Sequence, residues 1–125
     1  MPATISEDPS GRFVILTLTN PYSIAEARET LLRVLRHPVF QAHAALLIDR
    51  RAAAAPSSAF VSGAIDLIAE YRANVSGGRA AIVVADDVSF GMGRMTEMRA
   101  EIAVPTATIR AFRDYDAAVH WLMSA

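Results

Sequence analysis

The sequence contains no cysteine and no lysine, and all twelve of its basic residues are arginine. Without cysteine the chain forms no disulfide, no thiolate metal site and no iron–sulfur cluster, and it has no cysteine nucleophile. Without lysine it has no P-loop lysine, no Schiff base and no phosphate-sensing lysine of the receiver-domain type. Several classes of enzyme chemistry are therefore excluded.

Long apolar runs and an excess of one charge are also missing. No run approaches the ~20 apolar residues of a membrane span, and Glu7 and Asp8 lie where a secretion signal has its apolar core. The formal net charge is -1, from 12 basic and 13 acidic residues that are interspersed. This pattern offers no basic patch to nucleic acid or to an anionic membrane. We expect a cytoplasmic protein that lacks a nucleic-acid partner.

Short apolar runs alternate along the chain with stretches of helical spacing. The predicted strands cover residues 12–19, 44–48, 80–85 and 106–113. The predicted helices cover residues 24–36, 57–74, 88–102 and 114–123. Residues 1–11 are expected to form a frayed or short edge segment and a turn, and the last strand alternates as edge strands do.

This regular alternation predicts parallel strands joined by right-handed crossovers. A chain of 125 residues buries roughly two thirds of its unfolded surface, which suffices for one core. The sequence therefore predicts a single α/β domain over residues 1–125, with the order β-α-β-α-β-α-β-α. Its sheet is an open one of about four mainly parallel strands, accompanied by four helices.

Helix boundaries are marked by capping residues and by proline. Ser23 and Glu26 have the spacing of a capping box, in which each side chain satisfies an amide of the other residue. Pro38 is expected to end the helix that starts after Ser23. Ser57 or Ser58 is expected to cap the second helix, where a cap contributes about 1 kcal/mol.

Three aspartates follow predicted strands: Asp49, Asp86 and Asp87. Functional side chains of open parallel sheets gather beyond the carboxyl ends of the strands, so these acids are candidates for binding a divalent cation or accepting a phosphate. The missing lysine favours helix capping by Asp86 or Asp87 instead. The histidines share no ligand spacing, and no G-x-S-x-G elbow is present. We expect no catalytic residue, no metal site and no cofactor, and hence no enzyme.

The third predicted helix carries an aromatic residue and three methionines. Phe90, Met92, Met95 and Met98 are clustered, and the methionine spacing places them near one face. Methionine adapts to irregular partners. A core-facing stripe is one interpretation, and a pocket wall or partner surface is the other.

Two glycines, Gly91 and Gly93, lie within the same helix. The segment matches a dinucleotide-binding loop poorly, because Thr96 occupies the third glycine position and the glycines lie inside the helix. We expect them to allow close packing against a neighbour or to loosen the helix start.

Ser57 and Ser58 are the hydroxyls of most interest. One loop separates them from a buried strand that ends at Asp49. They lie at the start of a helix, where the backbone amides and the helix dipole would stabilise a phosphate. Capping is the favoured interpretation, and phosphorylation is an additional use of the same residues.

Three segments together resemble the bacterial SpoIIAA-like proteins, which are relatives of the STAS domain and of the lipid-binding CRAL-TRIO fold. The segments are L-L-I-D-R-R-A-A-A-A-P-S-S-A-F, F-G-M-G-R-M-T-E-M-R-A-E and I-R-A-F-R-D-Y-D-A-A-V-H-W-L. The resemblance spans about residues 13–122, and the last two segments are its most specific part.

The resemblance implies a non-enzymatic role in signalling. STAS relatives act as anti-anti-sigma factors, switched when a partner kinase phosphorylates a serine at a D-S-S-G-like helix start, or as sensor and transporter-regulating modules. Pro56-Ser57-Ser58-Ala59 corresponds to that stretch, with Pro56 in place of the acid and Ala59 in place of the glycine.

Two functions therefore stay open. In the first, the domain is a regulatory module whose partner face includes Asp49, Ser57, Ser58 and the adjacent helix surface. This function requires a filled core and an exposed apolar patch near Ser57. In the second, the domain carries or senses a small apolar, lipid-like ligand, and it requires a closed cavity of roughly a few hundred Å³. The residues expected to line that cavity are Phe60, Phe90, Met92, Met95 and Met98. The sequence leaves open the partner, the ligand and whether the chain forms a homodimer.

Overall fold

The computed structural model of the protein describes residues 3–19 and 22–124. Within them, five strands form one sheet: β1 (Ala3–Glu7), β2 (Val14–Leu18), β3 (Ala45–Asp49), β4 (Arg79–Val83) and β5 (Thr108–Phe112). Six helices accompany the sheet: α1 (Ile24–Arg36), α2 (Pro38–His43), α3 (Ser58–Glu70), α4 (Arg72–Val75), α5 (Asp87–Ala103) and α6 (Tyr115–Met123). The predicted α/β architecture is confirmed, with one more strand and two more short helices than expected.

The strands lie side by side in the order in which they occur along the chain, from β1 to β5. β2, β3, β4 and β5 are parallel, as predicted, and β5 lies at an edge of the sheet. The additional strand, β1, pairs antiparallel with β2 at the other edge. It is the short edge segment that we expected near the start of the chain. Only Ala3 of its five residues is buried, so its apolar pattern is weak.

Alternate residues of the strands divide the core into two halves. One half lies under α1 and α2 and consists of Ala3, Val14, Leu16, Leu18, Val34, Phe40 and Leu46. The other half lies under α6 and consists of Phe13, Ala45, Leu47, Ala81, Val83, Ala118 and Leu122. Helices α3 and α5 contact each other, and α3 also contacts α1, so these three cover the first face. Among the described residues, α6 packs against the second face, on β3, β4 and β5.

The first helix begins as its sequence predicts. The amide of Glu26 donates to Ser23 Oγ at 3.1 Å, and the amide of Ser23 donates to Glu26 Oε1 at 3.0 Å, which completes the capping box. The helix ends before Pro38, but Pro38 also starts α2. Proline suits a first helical position because its fixed φ is helical and its missing N–H is not needed there. His37 caps α2, accepting from the Val39 amide at 3.2 Å.

The predicted helix over residues 57–74 is divided in two. Tyr71, with φ -109° and ψ 26°, separates α3 from the single turn of α4. Its amide donates to the carbonyl of Ile68, three residues back, at 3.0 Å. This tighter bond ends the regular α-helical ladder.

None of the helices in the described ranges has both the length and the apolar character that crossing a membrane requires.

Candidate functional site

A cavity lies between the first face of the sheet and the helices α1, α3 and α5. Its volume is about 160 Å³, and its wall is almost entirely apolar. Strands supply Leu16, Leu46, Ile48 and Ile82 to this wall, and α1 and α3 supply, among others, Val34, Val61, Ala64 and Ile65. The cavity therefore lies within the half of the core that three helices cover.

Five polar side chains interrupt the apolar wall: Tyr22, Thr30, Arg50, Ser89 and Thr96. Thr30 and Ser89 are almost completely buried, on α1 and α5 respectively. Burial raises the pKa of the Tyr22 phenol, and a hydrogen bond with Thr30 acts in the opposite direction. Tyr22 is therefore neutral at physiological pH, and its hydroxyl is a hydrogen-bonding group at an apolar site.

Arg50 follows β3 directly and lies at the wall of the cavity. Its backbone amide donates to the carbonyl of Val83 at 2.9 Å, and its Nη2 donates to the carbonyl of Ala54 at 3.0 Å. Its Nε is buried and has no hydrogen-bond partner among residues 3–19 and 22–124. Burial lowers the pKa of this guanidinium, because a desolvated charge is disfavoured.

The arginines that form ion pairs do not line the cavity. The ion pairs recorded in the described part of the chain are Arg28 with Glu70, Arg51 with Asp49, Arg94 with Glu97, and Arg113 with Asp87. None of them includes Arg50. The Tyr22 phenol acts on the pKa of Arg50 in the opposite direction to burial.

Of the five side chains predicted to line a pocket, Phe60 lines this cavity and the four on α5 do not. The Phe60 ring packs against the Tyr22 ring with their centroids 5.9 Å apart. The guanidinium of Arg113 lies 4.8 Å from the centre of the Phe90 ring, away from the cavity wall. Met98 is 64% exposed, and Met92 and Met95 are half-buried.

Small residues form the part of α5 that borders the cavity. They are Ser89, Gly93 and Thr96. Their spacing of four and then three residues places them on one helical face, and their small volume leaves space above the sheet. Sequence reasoning missed this face, although a run of small residues at helical spacing was a visible signal of it.

The three residues predicted to form a partner face lie on two sides of the sheet. Asp49 accepts two hydrogen bonds from the Arg51 guanidinium, at 2.9 and 3.0 Å, and this interaction lowers the pKa of its carboxyl. The Arg51 guanidinium in turn lies 4.6 Å from the ring centre of Tyr115 in α6. Asp49 therefore belongs to the α6 side, whereas Ser57 and Ser58 start α3 on the cavity side.

Ser57, and not Ser58, caps α3. The amide of Phe60 donates to Ser57 Oγ at 3.1 Å, whereas Ser58 is the exposed first residue of the helix. We therefore expect Ser57→Ala to lower the free energy of unfolding by about 1 kcal/mol. The matched control, Ser58→Ala, is expected to change it by less than about 0.5 kcal/mol. Urea denaturation measures both, and equal losses would contradict this assignment of the cap.

The aspartates after β4 have structural roles. The Ser89 amide donates to Asp86 Oδ1 at 2.8 Å, which caps α5 and lowers the pKa of the Asp86 carboxyl. Asp87 forms an ion pair with Arg113. In the two described ranges, no three acidic or histidine side chains are grouped so that they could hold a metal ion.

A second pocket, of about 310 Å³, lies along the edge strand β5. Its wall includes Glu97, Glu101 and Arg110, and much of it is exposed. Glu97 Oε2 accepts a hydrogen bond from the amide of Ala111 at 2.9 Å. This contact satisfies an edge donor of β5 and so serves the sheet.

The chain is similar over almost its whole length to a solved structure. That structure is of an uncharacterized protein of the DUF3478 family with a SpoIIAA-like fold, from Shewanella loihica PV-4, and the TM-score is 0.62. The present chain has a SpoIIAA-like fold. The match covers 96% of this chain and 91% of the other at 16% sequence identity, so the resemblance found in the sequence is confirmed as a likeness of fold. No protein-family model and no curated protein matches the sequence.

Proposed function

We propose that this SpoIIAA-like domain is a non-enzymatic binding module that carries or senses a small apolar ligand. The observation that supports this function is the cavity of about 160 Å³ between the sheet and α1, α3 and α5. Its wall combines an apolar surface with a few polar groups, which is typical of small-molecule sites.

Packing supports a ligand site over a packing defect. Protein interiors are close-packed, and voids larger than a water molecule are few. An apolar space of about 160 Å³ beside the sheet is therefore unusual for a filled core, and a small apolar molecule would fit it.

The volume limits the size of the ligand. An apolar cavity of ~150 Å³ admits benzene, whereas drug-sized ligands occupy sites of ~300–1,000 Å³. We infer a ligand with an apolar part of roughly six to eight carbon atoms. The volume is smaller than the closed cavity of roughly a few hundred Å³ that this function was expected to require.

A pair of matched substitutions in α3 tests this function. Ala64 lines the cavity, and Ala59 is exposed in the first turn of the same helix. We expect benzene and hexan-1-ol to raise the melting temperature of the wild-type protein. Ala64→Leu is expected to abolish that rise because its side chain occupies the cavity, and Ala59→Leu is expected to preserve it. Differential scanning calorimetry across a ligand titration measures the shifts.

Two results would contradict this function. If neither compound, nor a series of alkanols from butanol to decanol, shifts the melting temperature of the wild-type protein, the cavity is not a ligand site. If Ala64→Leu retains the shift, binding occurs at another place.

A second candidate function is regulation by a protein partner at the start of α3. Ser58 is exposed in the first turn of a 13-residue helix, where a phosphate would be stabilised by the helix amides. The neighbouring residues Pro56 and Phe60 line the cavity, so a ligand would contact the same segment. Mass spectrometry of the protein purified from its producing cell tests for a phosphate on Ser57 or Ser58.

A further inference from the structure

We propose that the ligand is a small amphipathic carboxylic acid, with its carboxylate bound by Arg50 and its apolar body in the cavity. This inference rests on the proposed function and adds the chemical class of the ligand. It follows from the position, the hydrogen bonding and the charge environment of one side chain.

Over the described ranges, the buried Nε of Arg50 is an unsatisfied hydrogen-bond donor. Buried polar atoms of proteins are nearly always hydrogen-bonded, and leaving one without a partner costs about 1–3 kcal/mol. The buried Nε of Arg50 has no partner within the described residues. A carboxylate oxygen from a ligand in the cavity would accept its N–H.

The charge of Arg50 also favours an anionic ligand. Arginine stays protonated in proteins, so Arg50 carries a positive charge at an apolar wall. The four recorded ion pairs of residues 3–19 and 22–124 involve other arginines. A desolvated cation without a counter-charge is unfavourable, and an anionic ligand would supply that counter-charge.

The Arg50 side chain is also held in position by hydrogen bonds within the protein. The Arg50 backbone is bonded to Val83 of the adjacent strand, and its Nη2 is bonded to the carbonyl of Ala54. These two bonds hold the guanidinium in place before a ligand arrives. A guanidinium fits a carboxylate through two parallel N–H···O bonds, which favours a carboxylate over a neutral hydroxyl. Tyr22, which also lines the cavity, offers an additional hydroxyl donor.

Hexanoate and hexan-1-ol provide the test, because they have the same chain length and differ in the head group. We expect isothermal titration calorimetry at pH 7 to show that the wild-type protein binds hexanoate at least tenfold more tightly than hexan-1-ol. Arg50→Met is expected to lose this preference while still binding hexan-1-ol. Arg51→Met is the matched control: it removes the same charge from the adjacent residue, which is paired with Asp49, and is expected to keep the preference.

Each outcome decides a different question. Equal affinity of the wild-type protein for hexanoate and hexan-1-ol would overturn the role of Arg50 and leave the apolar ligand site intact. Loss of the preference in Arg51→Met as well would attribute it to general surface charge and would also overturn the inference. Binding of neither compound to the wild-type protein would overturn the proposed function itself. The wild-type comparison needs no variant, so it decides even if Arg50→Met fails to fold.

Discussion

Replacing Phe13 with alanine is expected to lower the free energy of unfolding by about 3–5 kcal/mol. Phe13 is completely buried and belongs to the half of the core that lies under α6, together with Leu47, Val83 and Leu122. Removing its ring takes away apolar burial and leaves a space that the neighbouring strands cannot close, because their positions are fixed by the sheet. Urea denaturation followed by far-UV circular dichroism measures the change.

An exposed apolar residue provides the control for this prediction. Ile102 lies in α5 and is 86% exposed, so Ile102→Ala is expected to change the free energy of unfolding by no more than about 0.5 kcal/mol. A loss below about 1 kcal/mol for Phe13→Ala would mean that α6 does not cover the sheet as described.

Replacing Gly93 with alanine is expected to destabilise the protein, although alanine is the better helix former. A β-carbon at Gly93 would lie 2.7 Å from the β-carbon of Ala111 in β5, and neither atom can move without a shift of the backbone. Such overpacking costs about 1–3 kcal/mol. Gly91 is the control, because a β-carbon there meets nothing within 4 Å. Gly91→Ala is therefore expected to stabilise the protein by about 0.5–1 kcal/mol.

The same contact can be tested by relieving it. Adding Ala111→Gly to Gly93→Ala removes the opposing β-carbon, so the two substitutions together should cost less than the sum of their separate costs. Double-mutant analysis of the free energies of unfolding measures this coupling. Strict additivity would show that α5 and β5 do not touch at this point. The result also bears on the sequence interpretation, in which Gly93 was expected to allow close packing.

The layout of the fold was predictable because it depends on local patterns. Each parallel strand is a short apolar run, and α1 shows its capping box directly in the sequence. The short strand β1 was harder to assign, since a single buried residue, Ala3, gives almost no periodic signal. The two additional helices, α2 and α4, are each six residues or shorter and depend on contacts that follow from the fold.

The cavity was not predictable in the same way. Its wall consists of residues that are individually ordinary core residues, such as Leu16 and Ile65, and the space between them exists only in three dimensions. The methionines of α5 drew attention because methionine suits variable partners, but Met98 points outward and is 64% exposed. Burial of a helix face depends on its neighbours, which the chemical character of the side chains does not specify.

Arg50 and Arg51 illustrate what strand alternation could have shown. Side by side in the sequence, the two arginines look equivalent. Arg50 continues the alternation of Leu46 and Ile48 and so reaches the cavity, whereas Arg51 continues that of Leu47 and pairs with Asp49. If the two-residue alternation of β3 is continued past the end of the strand, Arg50 is placed on the cavity side and Arg51 on the α6 side.

The sequential strand order has a consequence for synthesis of the chain. Because every strand pairs with its neighbour in the sequence, the sheet can grow strand by strand as the polypeptide leaves the ribosome. Helices α1, α3 and α5 cover one face during this growth, because they come after β2, β3 and β4 respectively in the sequence. The other face, with Phe13 and Leu47, stays uncovered until α6 has emerged. Late in translation, a nascent chain therefore presents an apolar face of paired strands, a surface of the kind that chaperones bind.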